Sequence, residues 1–240
     1  MASNPPGACC IESNFHEGTP SGSHQNVFGL DTYVTGSENS KRVIVILTDI
    51  HGHKFNNTLL VADQLAKLGG YKVYIPDILE NDPVPATYSD LGPWLQKHSP
   101  EVTKPIIEGF LKPLREQIGS ETFLGVIGYC YGAKYAIQQI ASDGYATAAA
   151  VAHPSFVTIE EVEAIKKPLL ISAAETDPIF PVELRHQTEE ALAKIKARYQ
   201  LDLFSGVVHG YAVRGDIKDP VVKYAMTKTI SDQVQWFAQF

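Results

Sequence analysis

Gly128-Tyr129-Cys130-Tyr131-Gly132 decides how this chain is read. Immediately upstream, Thr122-Phe123-Leu124-Gly125-Val126-Ile127 is apolar enough for a buried parallel strand, and downstream Ala133 to Ala141 is a good helix former. A strand, a sharp turn and a helix are the context of the G-x-S-x-G elbow, which holds a nucleophile at its apex. Here cysteine stands where that pattern carries serine. The glycines have a physical reason: the apex residue takes strained backbone angles, and side chains at the flanking positions would collide with neighbouring backbone. The plainer reading, a free cysteine packed as a small hydrophobe, leaves the elbow context unexplained.

A thiol nucleophile needs a base, and in this architecture an acid and then a histidine follow it along the chain. Pro168 to Ala174 reads as another buried strand and ends in Glu175-Thr176-Asp177-Pro178-Ile179-Phe180-Pro181, which places Asp177 at a strand's carboxyl end. Tyr199 to Phe204 alternates as a strand nearer an edge should, breaks at Ser205-Gly206, and leads to His209 in the following loop. Ligands in open α/β sheets bind beyond the carboxyl ends of the strands, so Cys130, Asp177 and His209 would face one crevice.

The rest of the chain supplies a scaffold of that kind. Lys41–Thr48, Lys72–Pro76 and Ala146–Val151 read as further strands. Between them Val61, Leu65 and Leu68 make one apolar helical stripe, and Val222, Met226, Ile230, Val234 and Phe237 make another on a closing helix. Alternating strands and helices imply an α/β architecture, a mainly parallel central sheet with helices on both faces. The segment from Asn81 to Pro100, rich in turn residues and carrying Trp94, breaks the alternation and reads as a surface loop rather than a cap.

Three stretches in this order, Gly-Tyr-Cys-Tyr-Gly at 128–132, Glu-Thr-Asp-Pro-Ile-Phe-Pro at 175–181 and His-Gly-Tyr-Ala-Val-Arg-Gly at 209–215, resemble the dienelactone hydrolase (carboxymethylenebutenolidase) family. Lys54-Phe55-Asn56-Asn57 and Ala152-His153-Pro154-Ser155-Phe156 look closest to its fungal members. The resemblance runs from Gly29 to the last helix. It implies an α/β-hydrolase fold over residues 1–240 as one domain, with 1–25 an irregular N-terminal segment. It also implies a Cys-His-Asp triad and no metal or organic cofactor.

An acyl-transfer site needs donors aimed at the developing oxyanion, and this fold takes one backbone N–H from the residue after the nucleophile and one from the loop after the first central strand. Those are Tyr131 and Ile50. By resemblance, Asp49 occupies the position of a glutamate that holds the resting thiol in bacterial relatives, though it is one methylene shorter; its other reading is a carboxylate capping the next turn. Arg214 could pair with a substrate carboxylate or form a structural ion pair with Asp216 or Asp219. Bacterial relatives add a second arginine after the Pro-Asp turn; here none follows Pro76-Asp77 before Pro100, which argues against dienelactone itself as substrate.

His51 and His53 beside Asp49 offer a zinc reading, but a further ligand with a matching motif is missing. Cys9 and Cys10 are adjacent, without the spacing of a zinc pair, and read as part of a plain N-terminal segment.

A net charge of −7 without a Lys/Arg run argues against nucleic acid or an anionic membrane as partner. No apolar run is long enough to span a bilayer, the N-terminus lacks a secretory pattern, and three cysteines give no disulfide framework, so the expected compartment is the reducing cytoplasm. The reading is a hydrolase of a small ester or lactone acting through a thioacyl intermediate. The rival is a non-hydrolytic protein on the same fold, a thiol redox sensor or metabolite binder, which would want a resolving cysteine close to Cys130.

Overall fold

The structure, a computed structural model, describes residues 1–84 and 90–240. Its strands are β1 (Ser23–Val27), β2 (Leu30–Thr35), β3 (Arg42–Leu47), β4 (Lys72–Pro76), β5 (Phe123–Tyr129), β6 (Ala148–Ala152), β7 (Leu169–Thr176) and β8 (Tyr199–Val208). They form one eight-stranded sheet in the order β1-β2-β4-β3-β5-β6-β7-β8. The first two strands are a hairpin paired antiparallel onto β4, and every pairing from β4 to β8 is parallel. This is an α/β-hydrolase fold.

Strand periodicity divides the core into two layers. Val43, Val45 and Leu47 of β3 join Leu124, Val126, Ala149, Val151 and Ile171 on one face. Ile44 and Ile46 join Ile127, Ala148, Ala150 and Leu170 on the other. A sheet buried on both faces must be covered twice. The first layer is covered by α3 (Pro100–Ile118), α4 (Gly132–Gln138), α5 (Ile159–Glu163) and α6 (Val182–Lys194), and the second by α1 (Asn56–Gly69), α7 (Tyr211–Arg214) and α8 (Pro220–Phe237).

Two helical stripes behave differently. On α8, Met226, Ile230 and Phe237 are buried and Val222 and Val234 half-buried. On α1, Val61 and Leu65 are wholly buried, but Leu68 is 60% exposed. It stands in the last turn, where the chain reverses at Gly70 with φ of 66°, and the core there is filled by Ala66 and Tyr71.

The segment around Trp94 is not a surface loop. It holds α2 (Gly92–Lys97); Trp94 is buried, donates to the carbonyl of Asp82 at 2.8 Å, and meets the Tyr131 ring edge-on at 5.5 Å. Tyr131 in turn donates to the carbonyl of His98 at 2.7 Å. The segment therefore packs against Tyr131, the residue that follows Cys130; residues 85–89 of it lie outside those described.

Candidate active site

The elbow forms where the sequence places it. β5 is buried along its whole length, Cys130 follows it with φ of 48°, and α4 begins two residues later. A non-glycine residue in the left-handed region is strained and persists only where its surroundings hold it. The glycines show what holds it. A Cβ on Gly128 would come within 2.5 Å of Ala133 Cα, and one on Gly132 within 2.1 Å of the Leu47 carbonyl oxygen. Gly132 thus lets the start of α4 press against the end of β3, which brings the Thr48–His51 loop alongside the elbow.

Cys130, His209 and Asp177 come together. His209 Nε2 lies 3.1 Å from Cys130 Sγ, while Nδ1 donates to the two oxygens of Asp177 at 2.9 and 2.8 Å. Asp177 is fixed from behind, since its Oδ1 also accepts the backbone N–H of Ile179 at 2.8 Å and of Phe180 at 2.9 Å. His209 is not deep in a loop: β8 continues through Ser205-Gly206 to Val208, after a register irregularity opposite Ala174/Thr176 on β7, and the imidazole follows directly.

The electrostatics favour a thiolate–imidazolium pair. Burial alone would push the Cys130 thiol up, but the Cys10 thiol and the charge of His209 outweigh it and hold Cys130 well below the usual cysteine range. For His209 burial works downward; the Cys130 thiolate and Asp177 overcome it and raise the imidazole to about 10.

Cys10 was not expected here. The N-terminal segment, expected to be irregular over residues 1–25, runs into β1 at Ser23 and is not a bland tail. Residues Ala2 and Ser3 donate to the carbonyl of Val157, Asn4 donates to that of Ile179, and a 3-10 turn at Ala8–Cys10 delivers Cys10, wholly buried, to 3.6 Å from Cys130 Sγ. The Cys-Cys doublet was the only signal in the sequence, and nothing local says where it lands. Two further residues were missed as neighbours of the sulfur. Ser155 Oγ lies 3.7 Å from Cys130 Sγ. His153, wholly buried with φ of 39°, meets His209 edge-on at 5.0 Å and is one of the groups that hold the Cys130 thiol down.

Asp49 and Arg214 pair with each other. Arg214 Nε is 2.8 Å from Asp49 Oδ2, both side chains are buried, and Asp49 Oδ1 accepts the His51 N–H at 3.0 Å. The partner of Arg214 is thus neither Asp216 nor Asp219. Its Nη1 donates to the carbonyls of Glu12 at 2.6 Å and Cys9 at 3.3 Å, so it ties the N-terminal segment to the loop after β3.

His51 and His53 diverge. His53 bridges Asp31 at 3.1 Å and Asp77 at 3.2 Å, whereas His51 stacks on Phe55 and approaches the Cys10 carbonyl at 3.2 Å. Two other groupings among the described residues are close enough to hold an ion, Cys10-Cys130-His209 and His24-Asp31-His53. In the second, Lys54 Nζ already lies 2.9 Å from Asp31 Oδ2, an ammonium where a cation would have to bind.

A hollow of about 470 Å³ lies beside His209, lined also by Cys9, Glu12, Pro178 and Arg214. A larger one of about 640 Å³ runs between β8 and α8 past Leu203 and Tyr224, and is not lined by Cys130, Asp177 or His209. Of these two, only the smaller adjoins His209.

Residues 30–240 match the model of the dienelactone hydrolase family. Over its whole length the chain is 38% identical to the hydrolase pyvD of Aspergillus violaceofuscus, covering 99% of that protein. It is 30% identical to dienlactone hydrolase 1 of Gibberella moniliformis, with 98% of this chain and 94% of the relative covered. Among solved structures, a dienelactone hydrolase from Klebsiella pneumoniae superposes with a TM-score of 0.73 at 15% identity, over 88% of this chain and 93% of that one. Among the described residues no helix is long and apolar enough to cross a membrane. The chain belongs to the dienelactone hydrolase family and is an ester or lactone hydrolase acting on small molecules.

Proposed function

We propose that the protein cleaves its ester or lactone through a thioacyl-enzyme, with Cys130 as nucleophile, His209 as acid and base, and Asp177 as the group that fixes the imidazole. The observation that carries this reading is the continuous contact from sulfur to imidazole to carboxylate, at 3.1 and 2.8 Å. The Cys130 thiolate attacks the carbonyl, and the oxyanion is received by the backbone N–H groups of Tyr131 and Ile50. His209, charged at the outset, gives its proton to the departing alkoxide. Neutral His209 then takes a proton from water, whose oxygen attacks the thioester carbonyl, and the thiolate leaves. Asp177 keeps Nδ1 protonated and Nε2 aimed at the sulfur through both steps.

Arg214 supports a structural role. Its charge faces Asp49 and its Nη1 holds two carbonyls of the N-terminal segment; only Nη2 is without a partner among the described residues, so a substrate carboxylate would have to compete with Asp49 for the charge. We therefore expect uncharged esters and lactones as substrates, and a cytoplasmic setting that keeps the three thiols reduced.

The test is turnover of a panel of aryl esters and lactones by wild type beside Cys130→Ala, with mass spectrometry of protein quenched during turnover of a slow substrate. The Ala variant should be inactive, and an acyl adduct should map to Cys130. Full activity in Cys130→Ala would falsify the assignment.

A further inference from the structure

The proposed mechanism uses one of three cysteines, and the second lies against the first. Cys10 and Cys130 are 120 residues apart in sequence and 3.6 Å apart sulfur to sulfur, both wholly buried. A disulfide needs about 2 Å, so a shift of roughly 1.5 Å would join them. The turn that carries Cys10 belongs to a segment held by several long-range backbone bonds, so the contact is built, not incidental. Both sulfurs are buried and in contact, and Cys9, the neighbour of Cys10, lines the hollow beside His209.

We propose that Cys10 and Cys130 form a modification site for hydroperoxides, in which Cys130 is oxidised and Cys10 resolves it to a disulfide that closes the active site reversibly. The consequence for turnover rests on the hydrolase reading above; the bridge itself does not. In the first step the Cys130 thiolate attacks the hydroxyl oxygen of the peroxide, an S–O bond forms, the O–O bond breaks, and alkoxide (hydroxide for hydrogen peroxide) leaves and is protonated by His209 or water, leaving a sulfenic acid. In the second the Cys10 sulfur gives up its proton and attacks the Cys130 sulfur, the S–S bond forms, and the S–O bond breaks with loss of water. Two thiols are oxidised by two electrons, and one hydroperoxide is reduced to water and the corresponding alcohol, or to two waters for hydrogen peroxide.

The surroundings suit both steps. The hollow beside His209 lets a molecule of peroxide size approach the imidazole that adjoins the sulfur. The main influence keeping the Cys10 thiol protonated is its contact with Cys130. Conversion of Cys130 to a neutral sulfenic acid removes the thiolate from that contact, and Cys10 becomes more acidic at the stage where its thiolate is wanted. Closing the bridge would pin the Ala8–Cys10 turn over the elbow, while reduction by a dithiol would free it.

The experiment treats reduced full-length protein with stoichiometric hydrogen peroxide, blocks remaining thiols, and sequences the peptides without reduction. The expected result is loss of two of the three thiols, a mass about 2 Da lower before blocking, and one linked fragment joining Cys10 to Cys130. Ester turnover should fall in step with bridge formation and return on adding dithiothreitol. In Cys10→Ser no bridge should form, and excess peroxide should carry Cys130 to the sulfinic acid, about 32 Da heavier and not restored by dithiothreitol. A bridge between Cys9 and Cys10, a bridge between two molecules, or three free thiols after treatment would each overturn the proposal. If the map shows the Cys10–Cys130 link but no ester is hydrolysed before or after, the site stands and the hydrolase reading falls. A strong esterase that never bridges would do the reverse.

Discussion

Two cysteines reach the same point in this molecule by opposite means. Cys130 is put there by its neighbours: a wholly buried strand, a left-handed residue and two glycines whose replacement would strike backbone at 2.5 Å or less. Cys10 is put there by partners far along the chain, among them the carbonyls of Val157 and Ile179 and, through Glu12 and Cys9, the guanidinium of Arg214. The elbow is a local device whose geometry is written in five residues. The N-terminal segment is a strap, and its position is a property of the whole fold. Changes to the side chains that meet at Cys130, as distinct from the elbow glycines, should therefore act on chemistry with little effect on stability, and changes along the strap should do the opposite.

The largest effect expected among the side chains that meet at Cys130 comes from Asp177→Asn. Its amide oxygen can still accept the N–H groups of Ile179 and Phe180, but its NH₂ would hold the imidazole in the wrong tautomer. We expect kcat for an aryl ester to fall by about 10⁴ with the urea midpoint nearly unchanged. An unfolding midpoint that drops together with kcat would blur the division.

On the strap side the largest effect should come from Arg214→Met, which leaves Asp49 buried and unpaired and releases the Glu12 and Cys9 carbonyls. Breaking one partner of a buried pair costs about 3–5 kcal/mol, so urea denaturation should register that loss, and residues 1–16 should become the first site of limited proteolysis. If stability holds and only kcat/KM for a carboxylate-bearing lactone suffers, Arg214 is a substrate contact after all.

A pH profile tests the pairing of the Cys130 thiol with the His209 imidazole. The Cys130 thiol is depressed, so its thiolate persists as pH falls well below the usual cysteine range; the His209 imidazole is raised, so its proton is lost only as pH climbs through about 10. Hydrolysis should hold a plateau between those limits, with the alkaline limb set by His209. A rate that simply rises through pH 8 to 9, as for an ordinary thiol, would exclude a preformed ion pair.

The smallest effect concerns a single peg of the strap. Ser3 Oγ accepts the Val157 N–H at 2.9 Å in a buried setting, so Ser3→Ala should cost about 1 kcal/mol in urea titration and leave kcat alone. A change in kcat from so distant a site would mean that strap and elbow are coupled more tightly than their construction suggests.

The division also explains what could be read from sequence. β3 to β7 were legible because parallel strands covered on both faces are apolar runs, and β8 because its first half alternates as an edge strand should; the elbow and Asp177 follow from where those runs end, whereas β8 continues through Ser205-Gly206 to the residue before His209. The β1–β2 hairpin was not: Ser23–Val27 is an exposed edge strand without apolar alternation. Leu68 fits the period of its helix, and only the overhang of the last turn exposes it. The Asp49–Arg214 pair spans 165 positions and the Cys10–Cys130 contact 120; no window along the chain contains either. Asp49 and Arg214 were each singled out, and what sequence could not supply was that they are each other's partner.

The irregularity where β8 passes Ala174 and Thr176 bears on how such a protein tolerates change. Side chains along a strand alternate between faces, so a slip of one residue turns every later one over. His209 follows β8 directly, and its aim at the sulfur depends on the parity of the residues before it. A single inserted or deleted residue between 199 and 208 would send the imidazole to the wrong side of the sheet, while a change of two would preserve its face and alter only its height. Length variation in this strand should thus be accepted by even steps, or by a second bulge that resets the count, whereas the exposed edge strand β1 at the other side of the sheet carries no such rule.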